Sequence, residues 1–544
     1  MKVLVSDKMS QNGIDVLDAA DGIQVVYKTN LSPEDLIKEL QDTDALIIRS
    51  STKVTKDVFA AVNKLKIIGR AGIGVDNIDC TTATERGVIV VNTPSGNATT
   101  TAEHAIAMLM ALSRHIPQAD KSMHLGKWEK SKFTGIEVTG KTLGVFGYGN
   151  IGKIVADRAQ GLKMRVIVFD PFLTAEVAAK NGVELVSKEE LFERADYITA
   201  HVPLNDSTRN LINKKTIETM KTGVRIINCA RGGIVNEADL IDGLNSDKIA
   251  GAAIDVFEEE PPPEDNPLLK HERVICTPHL GASTAEAQVN VAVQVAEQIR
   301  DYLLTGEIRN GINCPSISSE MVKILSPYLK LCDKLGAFQG QIHRENHAEI
   351  KKLTISYSGA VTDYDTGALT AALVHGFLNT ISDGSVNFVN ALSMAESRGI
   401  VVEEKVVHHV QDFANQITLS VSSEEKTNLI AGTVFGNKNY RFVRFNDFYL
   451  EVIPDGYILA LHNYDRPGVI GKAASILGNH NINVSRMQLT LDKTFQPGSE
   501  ESCLQEAVSF INIDQPANET ILEELMKLRS EERRVGKECR SRWS

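Results

Sequence analysis

Residues 141–170 read KTLGVFGYGNIGKIVADRAQGLKMRVIVFD. The apolar run Thr142 to Phe146 predicts a strand. Gly147-x-Gly149-x-x-Gly152 then turns the chain into a helix, and a second apolar run ends at Asp170, eighteen residues past Gly152. Each glycine has a separate task. The first makes the tight turn, the second lets a pyrophosphate reach the backbone, and the third lets helix and strand pack closely. The amides at the helix start attract the pyrophosphate. A carboxylate at the end of the second strand accepts both hydroxyls of an adenosine ribose and repels a 2′-phosphate, so NAD is expected rather than NADP. With 39 glycines in 544 residues, the bare spacing arises by chance roughly 0.2 times. The flanking strands, the helix and the placed aspartate give the motif its force.

Outward from this unit the chain keeps alternating strand and helix. Before it, KVLVSD, IQVVYK, ALIIRS, LKIIGRAG and VIVVNTP read as short strands separated by amphipathic segments such as SPEDLIKELQ. A helical stretch from Thr100 to Ser113 leads into the second unit. After the motif come ADYITAHVP, GVRIINCA, AGAAIDVF and RVICTPH, then a helix from Ala285 to about Leu304. This alternation means parallel α/β sheets, so two Rossmann-like doubly wound units are expected. Residues 311–450 change to mixed strands and helices, an α+β unit. A last unit from about Glu451 reads strand, helix, strand, strand, helix. The expected division is 1–97 completed by 286–310, 98–285, 311–450, 451–528, and a tail at 529–544.

Composition sets limits. A hydrophobic share of 42% and a charged share of 24% suit globular units with ordinary cores. A net charge of −12 argues against a nucleic-acid partner, which selects a basic face. No apolar run reaches the length of a membrane span, and MKVLVSDKMS has no signal-peptide shape, so a cytoplasmic location is expected. Seven cysteines, scattered without CxxC or Cys/His spacing, indicate neither a disulfide framework nor a metal site.

Three polar residues follow strand ends in the second unit, where open α/β sheets place their ligands. They are Arg231, Glu260 and His279. An arginine fork binds a substrate carboxylate or carbonyl oxygen. A histidine exchanges the hydroxyl proton as hydride leaves, and a glutamate orients the ring and favours its charged form. Singly, each has a structural alternative: a satisfied histidine, a solvated acidic run, a surface ion pair. Together, behind one dinucleotide unit, they suit oxidation of a 2-hydroxy acid.

The strings RAGIGVDNID, NTPSGNATTTAEHAIAMLMALSR, GKTLGVFGYGNIGK, INCARGGIV, GAAIDVFEEEPP and CTPHLGASTAEAQ carry a resemblance to the D-isomer-specific 2-hydroxyacid dehydrogenases. Within that family the chain resembles the long, regulated members that oxidise 3-phospho-D-glycerate to 3-phosphohydroxypyruvate, the first step of the phosphorylated serine pathway. The resemblance implies that Arg231, Glu260 and His279 are catalytic and that the first unit binds substrate. It implies cofactor contacts from Gly147, Tyr148, Gly149, Asn150, Ile151, Gly152, Asp170, Ala230, Asp255, His279 and Gly281. It implies substrate contacts from Arg49, Arg70, Gly72, Ile73, Gly74, Asn97 and Arg231. A phosphorylated acid needs several such donors and no apolar pocket. Lys127–Lys132 (KWEKSK) is either a solvated basic face or a donor to phosphate in a neighbouring subunit, since a homo-oligomer, dimer or tetramer, is expected.

The last unit resembles the ACT regulatory domain, with the middle region resembling the intervening domain of the longest members. ACT domains of related dehydrogenases bind L-serine between subunits, and Asn463, Asp465 and Asn483 match those positions. The alternative for Asp465-Arg466-Pro467-Gly468 is a plain turn or helix start. Other D-2-hydroxy acids such as glycerate or 2-hydroxyglutarate, or a non-catalytic NAD-sensing role like that of the corepressors sharing this scaffold, are the competing readings. Finally, RSEERRVGKECRSRWS at 529–544 shows neither strand alternation nor a helical stripe. It resembles a translated sequencing adaptor. The tail holds six basic and three acidic residues, so the rest of the chain carries −15. An ACT unit (βαββαβ) lacking its last strand is therefore expected, with the tail foreign to the natural chain.

Overall fold

The computed structural model describes all residues except 317–318, 347–349, 383–385, 408–412, 424–425, 437, 492–504, 531–538 and 542–544. Four sheets follow one another along the chain.

The first contains β1 (Lys2–Val5), β2 (Gln24–Tyr27), β3 (Ala45–Ile48), β4 (Ile67–Arg70) and β5 (Ile89–Asn92) in the order β2-β1-β3-β4-β5. All its pairs are parallel. Its strands are apolar on both faces because helices cover both. One covering helix comes from far along the chain: Ala285–Thr305 buries Val291, Val295, Ala296 and Ile299 against Val3, Ile47 and Ile67.

The second sheet contains β6 (Thr142–Phe146), β7 (Arg165–Phe169), β8 (Glu184–Leu185), β9 (Tyr197–Ala200), β10 (Val224–Asn228), β11 (Ile249–Ile254) and β12 (Val274–Cys276). Their order, β12-β11-β10-β9-β6-β7-β8, is fully parallel. The strand sequence reverses between β6 and β9. Ligands bind at such a switch point, outside the carboxyl ends of the strands. The helix Ala98–Arg114 joins the two units and packs beneath this sheet through Ala102, Ala105, Met108, Leu109 and Leu112.

The third sheet contains β13 (Ile350–Gly359), β14 (Val401–Val407), β15 (Asn415–Ser423), β16 (Thr427–Phe435), β17 (Asn439–Phe445) and β18 (Phe448–Val452). Only β13 and β14 pair in parallel; the rest is antiparallel. The helices Ser319–Asn346 and Gly367–Ile381 cover it. The last sheet contains β19 (Tyr457–Tyr464), β20 (Val484–Leu491), β21 (Glu506–Ile513) and β22 (Cys539–Ser541), ordered β20-β21-β19-β22 and antiparallel throughout.

Two expectations change here. The last unit begins at Tyr457 rather than near Glu451, because Phe448–Val452 completes a hairpin with β17. The last strand of the βαββαβ pattern is short but present. Cys539, Arg540 and Ser541 pair with Ala460, Leu459 and Ile458. The physical reason is that an open strand edge accepts any extended segment that reaches it, since the ladder is backbone to backbone and needs no apolar alternation. The preceding helix runs Glu519–Ser530, two residues past its expected end. The remainder of the tail, 531–538 and 542–544, lies outside the described residues.

Candidate active site

The glycine loop leaves β6 at the switch point. Gly147 has φ +87°, a left-handed value, and a Cβ there would stand 2.6 Å from the His201 carbonyl oxygen. A Cβ at Gly152 would stand 1.9 Å from the Gly147 carbonyl oxygen. Gly149 is different: nothing lies within 4 Å of its Cβ position. It caps the helix Asn150–Gly161 without a side-chain hydrogen bond, and the first turn carries no acidic residue. Free amides therefore face open space at a helix N-terminus, the setting that holds a pyrophosphate. Asp170 Oδ2 accepts the Tyr148 amide at 2.7 Å and Oδ1 accepts the Phe172 amide at 2.8 Å. Each oxygen keeps a lone pair for a ribose hydroxyl. These features fit NAD.

A cavity of about 490 Å³ opens between the first two units. Asn150, Ile151, Ala230 and Gly281 line its cofactor side, and Arg70, Ile73, Gly74 and Asn97 its other side. Arg231 and His279 lie between them. His279 Nδ1 is 2.7 Å from Glu260 Oε2, while Glu260 Oε1 accepts the Phe257 amide at 3.1 Å. Burial alone raises the Glu260 carboxyl. The His279 hydrogen bond and charge, helped by the Phe257 amide and Arg231, outweigh it and hold Glu260 below the usual carboxylate range. With Nδ1 engaged, Nε2 is the nitrogen left for chemistry. Arg231 reaches across the cleft from the second unit to Asp76 of the first, Nε to Oδ2 2.9 Å.

Arg70 closes the substrate side. Its Nε is buried without a hydrogen-bond partner. Burial lowers the guanidinium to about 10, and the charges of Arg231 and Arg49 act in the same direction. Two cations, Arg70 and Arg231, thus line the cavity, and the charge of a third, Arg49, reaches Arg70. Asn97 Oδ1 is also buried and unpartnered. Arg49 does not line the cavity; its own amide is bonded to Asp7 Oδ2 at 2.6 Å and its Nη1 to the Lys8 carbonyl at 3.1 Å. Gly72 does not line the cavity; its backbone wraps the Arg70 side chain, since a Cβ there would stand 1.6 Å from Arg70 Nη1.

Asp255, expected among the cofactor contacts, is instead fully buried at the end of β11. Its carboxylate holds the loop around His279, accepting Thr277 Oγ1 at 2.6 Å and the Leu280 and Gly281 amides at 2.7 and 2.9 Å. The physical reason is local: these three donors occupy the carboxylate, which does not itself line the cavity. His104, Cys229 and Asp255 offer ligand atoms within 4.8 Å of one another. Burial, reinforced by the Asp255 charge, pushes the Cys229 thiol far up, and Asp255 is already occupied, so this trio is a poor match to a metal that needs thiolate and free carboxylate.

Sequence reasoning missed Asp76, His104 and His201. His201 follows β9; Nε2 lies 3.0 Å from Thr199 Oγ1, and Nδ1 is buried without a partner. Burial lowers it to about 4, which keeps the ring neutral beside the glycine loop. Its position just past a strand end was the available signal. Asp76 and His104 carry none.

The effector candidates are not brought together. Asn463 lies opposite Ala507 near the end of β19, whereas Asn483 directly precedes Val484, which pairs with Ile513. The separation along β21 is six residues, roughly 20 Å. Asp465 is exposed, and its amide donates to the Gln505 carbonyl at 2.8 Å.

Comparison with known proteins adds family information. Residues 106–281 match the D-isomer specific 2-hydroxyacid dehydrogenase NAD binding domain, 324–446 the D-3-phosphoglycerate dehydrogenase intervening domain, and 457–530 the ACT domain. A D-3-phosphoglycerate dehydrogenase of Bacillus subtilis is 43% identical over 524 residues, 96% of this chain and 97% of its own. One from Archaeoglobus fulgidus is 42% identical over 529 residues, 97% of this chain and 98% of its own. Among solved structures, the apo form of D-lactate dehydrogenase from Escherichia coli is 30% identical with a TM-score of 0.51, covering 57% of this chain and 100% of that one. An NAD-dependent formate dehydrogenase from Staphylococcus aureus in complex with NAD is 28% identical, TM-score 0.52, over 58% of this chain and 100% of its own.

Proposed function

The chain belongs to the D-3-phosphoglycerate dehydrogenase family, and from that premise we propose that it oxidises the C2 hydroxyl of 3-phospho-D-glycerate to give 3-phosphohydroxypyruvate. NAD supplies the hydride acceptor. The chain's own groups do the rest. Arg231 binds the substrate carboxylate, exchanging its Asp76 partner for it. His279 accepts the hydroxyl proton at Nε2 as the C2 hydride leaves. Glu260 holds the Nδ1 proton and stabilises the charged ring. Arg70, reached by the charge of Arg49, supplies positive charge for the phosphate, and Asn97 Oδ1 faces a substrate hydroxyl.

The observation that carries this reading is the His279–Glu260 pair and the arginine cluster around one cavity. Glycerate or 2-hydroxyglutarate is the weaker alternative. Glycerate has one anionic group for three cations, and 2-hydroxyglutarate lacks the dianionic charge of a phosphate. A purely NAD-sensing protein has no use for a histidine–carboxylate pair at the hydride site. The test is NAD reduction by the purified chain against a panel of D-2-hydroxy acids, with and without L-serine. A clear preference for 3-phosphoglycerate is expected; a preference for another acid, or no turnover, overturns the assignment.

Oligomerisation and serine response extend the proposal. Ile116, Met123, Leu125 and Trp128 are 53%, 54%, 63% and 80% exposed within one short stretch. A patch of that kind is typical of a protein interface, and we assign it to a second copy. The distance between Asn463 and Asn483 makes the same point, because one serine site built from both needs Asn483 of another subunit. Among the described residues no helix is long and apolar enough to cross a membrane; we place the enzyme in the cytoplasm.

A further inference from the structure

His104 sits on the helix Ala98–Arg114, which carries the chain from the first unit into the second. It does not line the cavity. Its Nε2 is 3.2 Å from Asp255 Oδ1 and 3.3 Å from Thr277 Oγ1. An ionised carboxylate has about four lone-pair sites. Two lie on each oxygen: Oδ1 of Asp255 accepts Thr277 and Leu280 and has His104 Nε2 beside it, while Oδ2 accepts Gly281. All three loop donors flank His279. His279 itself has φ +53°, and its amide is directed at the Asp255 and Thr277 carbonyls, 2.9 and 3.0 Å away. A non-glycine residue keeps a left-handed backbone only where its surroundings over-determine it. Here that constraint converges on one fully buried carboxylate.

We propose that His104 is a positioning residue for hydride transfer: by engaging Asp255 Oδ1 and Thr277 Oγ1 together from the connecting helix, it sets where the His279 loop stands in the cleft. The proposal rests on the dehydrogenase reading and deepens it. Without the His104 ring, Asp255 Oδ1 and Thr277 Oγ1 lose the group packed against both, and the carboxylate and the loop amides bound to it shift together. The base then shifts relative to the substrate hydroxyl, and displacements of about 1 Å cost up to roughly a hundredfold in rate.

The test compares the full-length chain with His104→Ala and His104→Gln. The unmodified chain is first assayed against the D-2-hydroxy-acid panel, so a wrong substrate assignment shows there, and the variants are then read with whichever acid is turned over. His104→Ala is expected to lose about tenfold in kcat with little change in KM. Its deuterium isotope effect on kcat, measured with C2-deuterated substrate, is expected to rise. His104→Gln, whose amide nitrogen donates from nearly the same place, restores most of the rate. A variant that merely contains less folded enzyme has a lower kcat with an unchanged isotope effect. That result, an unchanged kcat in His104→Ala, or a Gln variant as slow as the Ala variant overturns the proposal. Should His104→Ala fail to fold, His104→Phe keeps the ring and removes only the donor; an unchanged isotope effect there overturns it equally.

Discussion

At the scale of single residues, the Glu260 carboxylate selects one orientation of the His279 ring. His279→Ala should therefore lower kcat by about 10²–10⁴-fold, the usual worth of general acid–base help. NAD affinity, measured by fluorescence titration, should change little because the glycine loop and Asp170 are untouched; near-normal turnover would refute the role. Asp255 makes a pH prediction. Burial raises its carboxyl, but the His104, Thr277 and Leu280 hydrogen bonds outweigh that and hold it below its ordinary 3.8. A depressed acid stabilises the fold fully above its unfolded pKa and loses that contribution as pH falls through the folded one. The Tm gap between the native chain and Asp255→Asn should thus be steady above about pH 4 and narrow below 3.8; a gap that widens in acid would contradict this. Arg231, Glu260 and His279 were legible in the sequence because each follows a strand end in a motif-bearing unit. Asp76 and His104 were not. Asp76 meets Arg231 across the two units, 155 residues away, and His104 meets Asp255 and Thr277 from a distant helix of the same unit, so no local pattern records either contact.

At the scale of elements, strands and helices of the first two units were readable because buried parallel strands are continuous apolar runs bounded by turns. The glycine loop was readable too, down to a separate task for each glycine, and the structure puts distances on those tasks. A methyl at Gly152 meets a backbone oxygen that cannot move away without unmaking the turn. A methyl at Gly149 meets no protein atom, and φ −76° there suits any residue. Gly152→Ala should lower both Tm and NAD affinity. Gly149→Ala should lower NAD affinity alone, since its methyl enters the space of the pyrophosphate. Thermal melts with and without NAD distinguish the two, and a stability loss at Gly149 equal to that at Gly152 would show that the open face is not the cofactor's. The short β22 was not legible, because pairing at an open edge depends on backbone reach and not on a side-chain pattern.

At the scale of the whole molecule, the four sheets form two larger bodies. The third and fourth sheets share a core in which Phe338 stacks near Phe442 and Phe510, at 5.6 and 5.8 Å between ring centroids. Backbone groups of Glu451 and Tyr449 also bond to Gln488 and Thr490 of β20. This body touches the first unit lightly, through Asn387 to the Gly87 carbonyl at 3.0 Å, Asn390 to the Glu85 carbonyl at 3.4 Å, and Val389. The cavity and the residues around it lie wholly in the first two units. Those units are closed off by Asn313, which bonds to Val88 and Val90, and by Ser316, which accepts the Gly311 amide at 2.9 Å. Solved dehydrogenases of the same fold match little more than half of this chain over their entire length, so in those proteins two such units fold without a C-terminal body. A chain ending at Ser316 should then oxidise 3-phosphoglycerate with kcat within about threefold of the full chain, as expected for a domain with its own core, while any response to L-serine disappears with the last unit. A folded, NAD-binding chain of this length that fails to turn over substrate would show instead that the C-terminal body completes the active site, with the light contact at Gly87 and Glu85 as the route by which it does so.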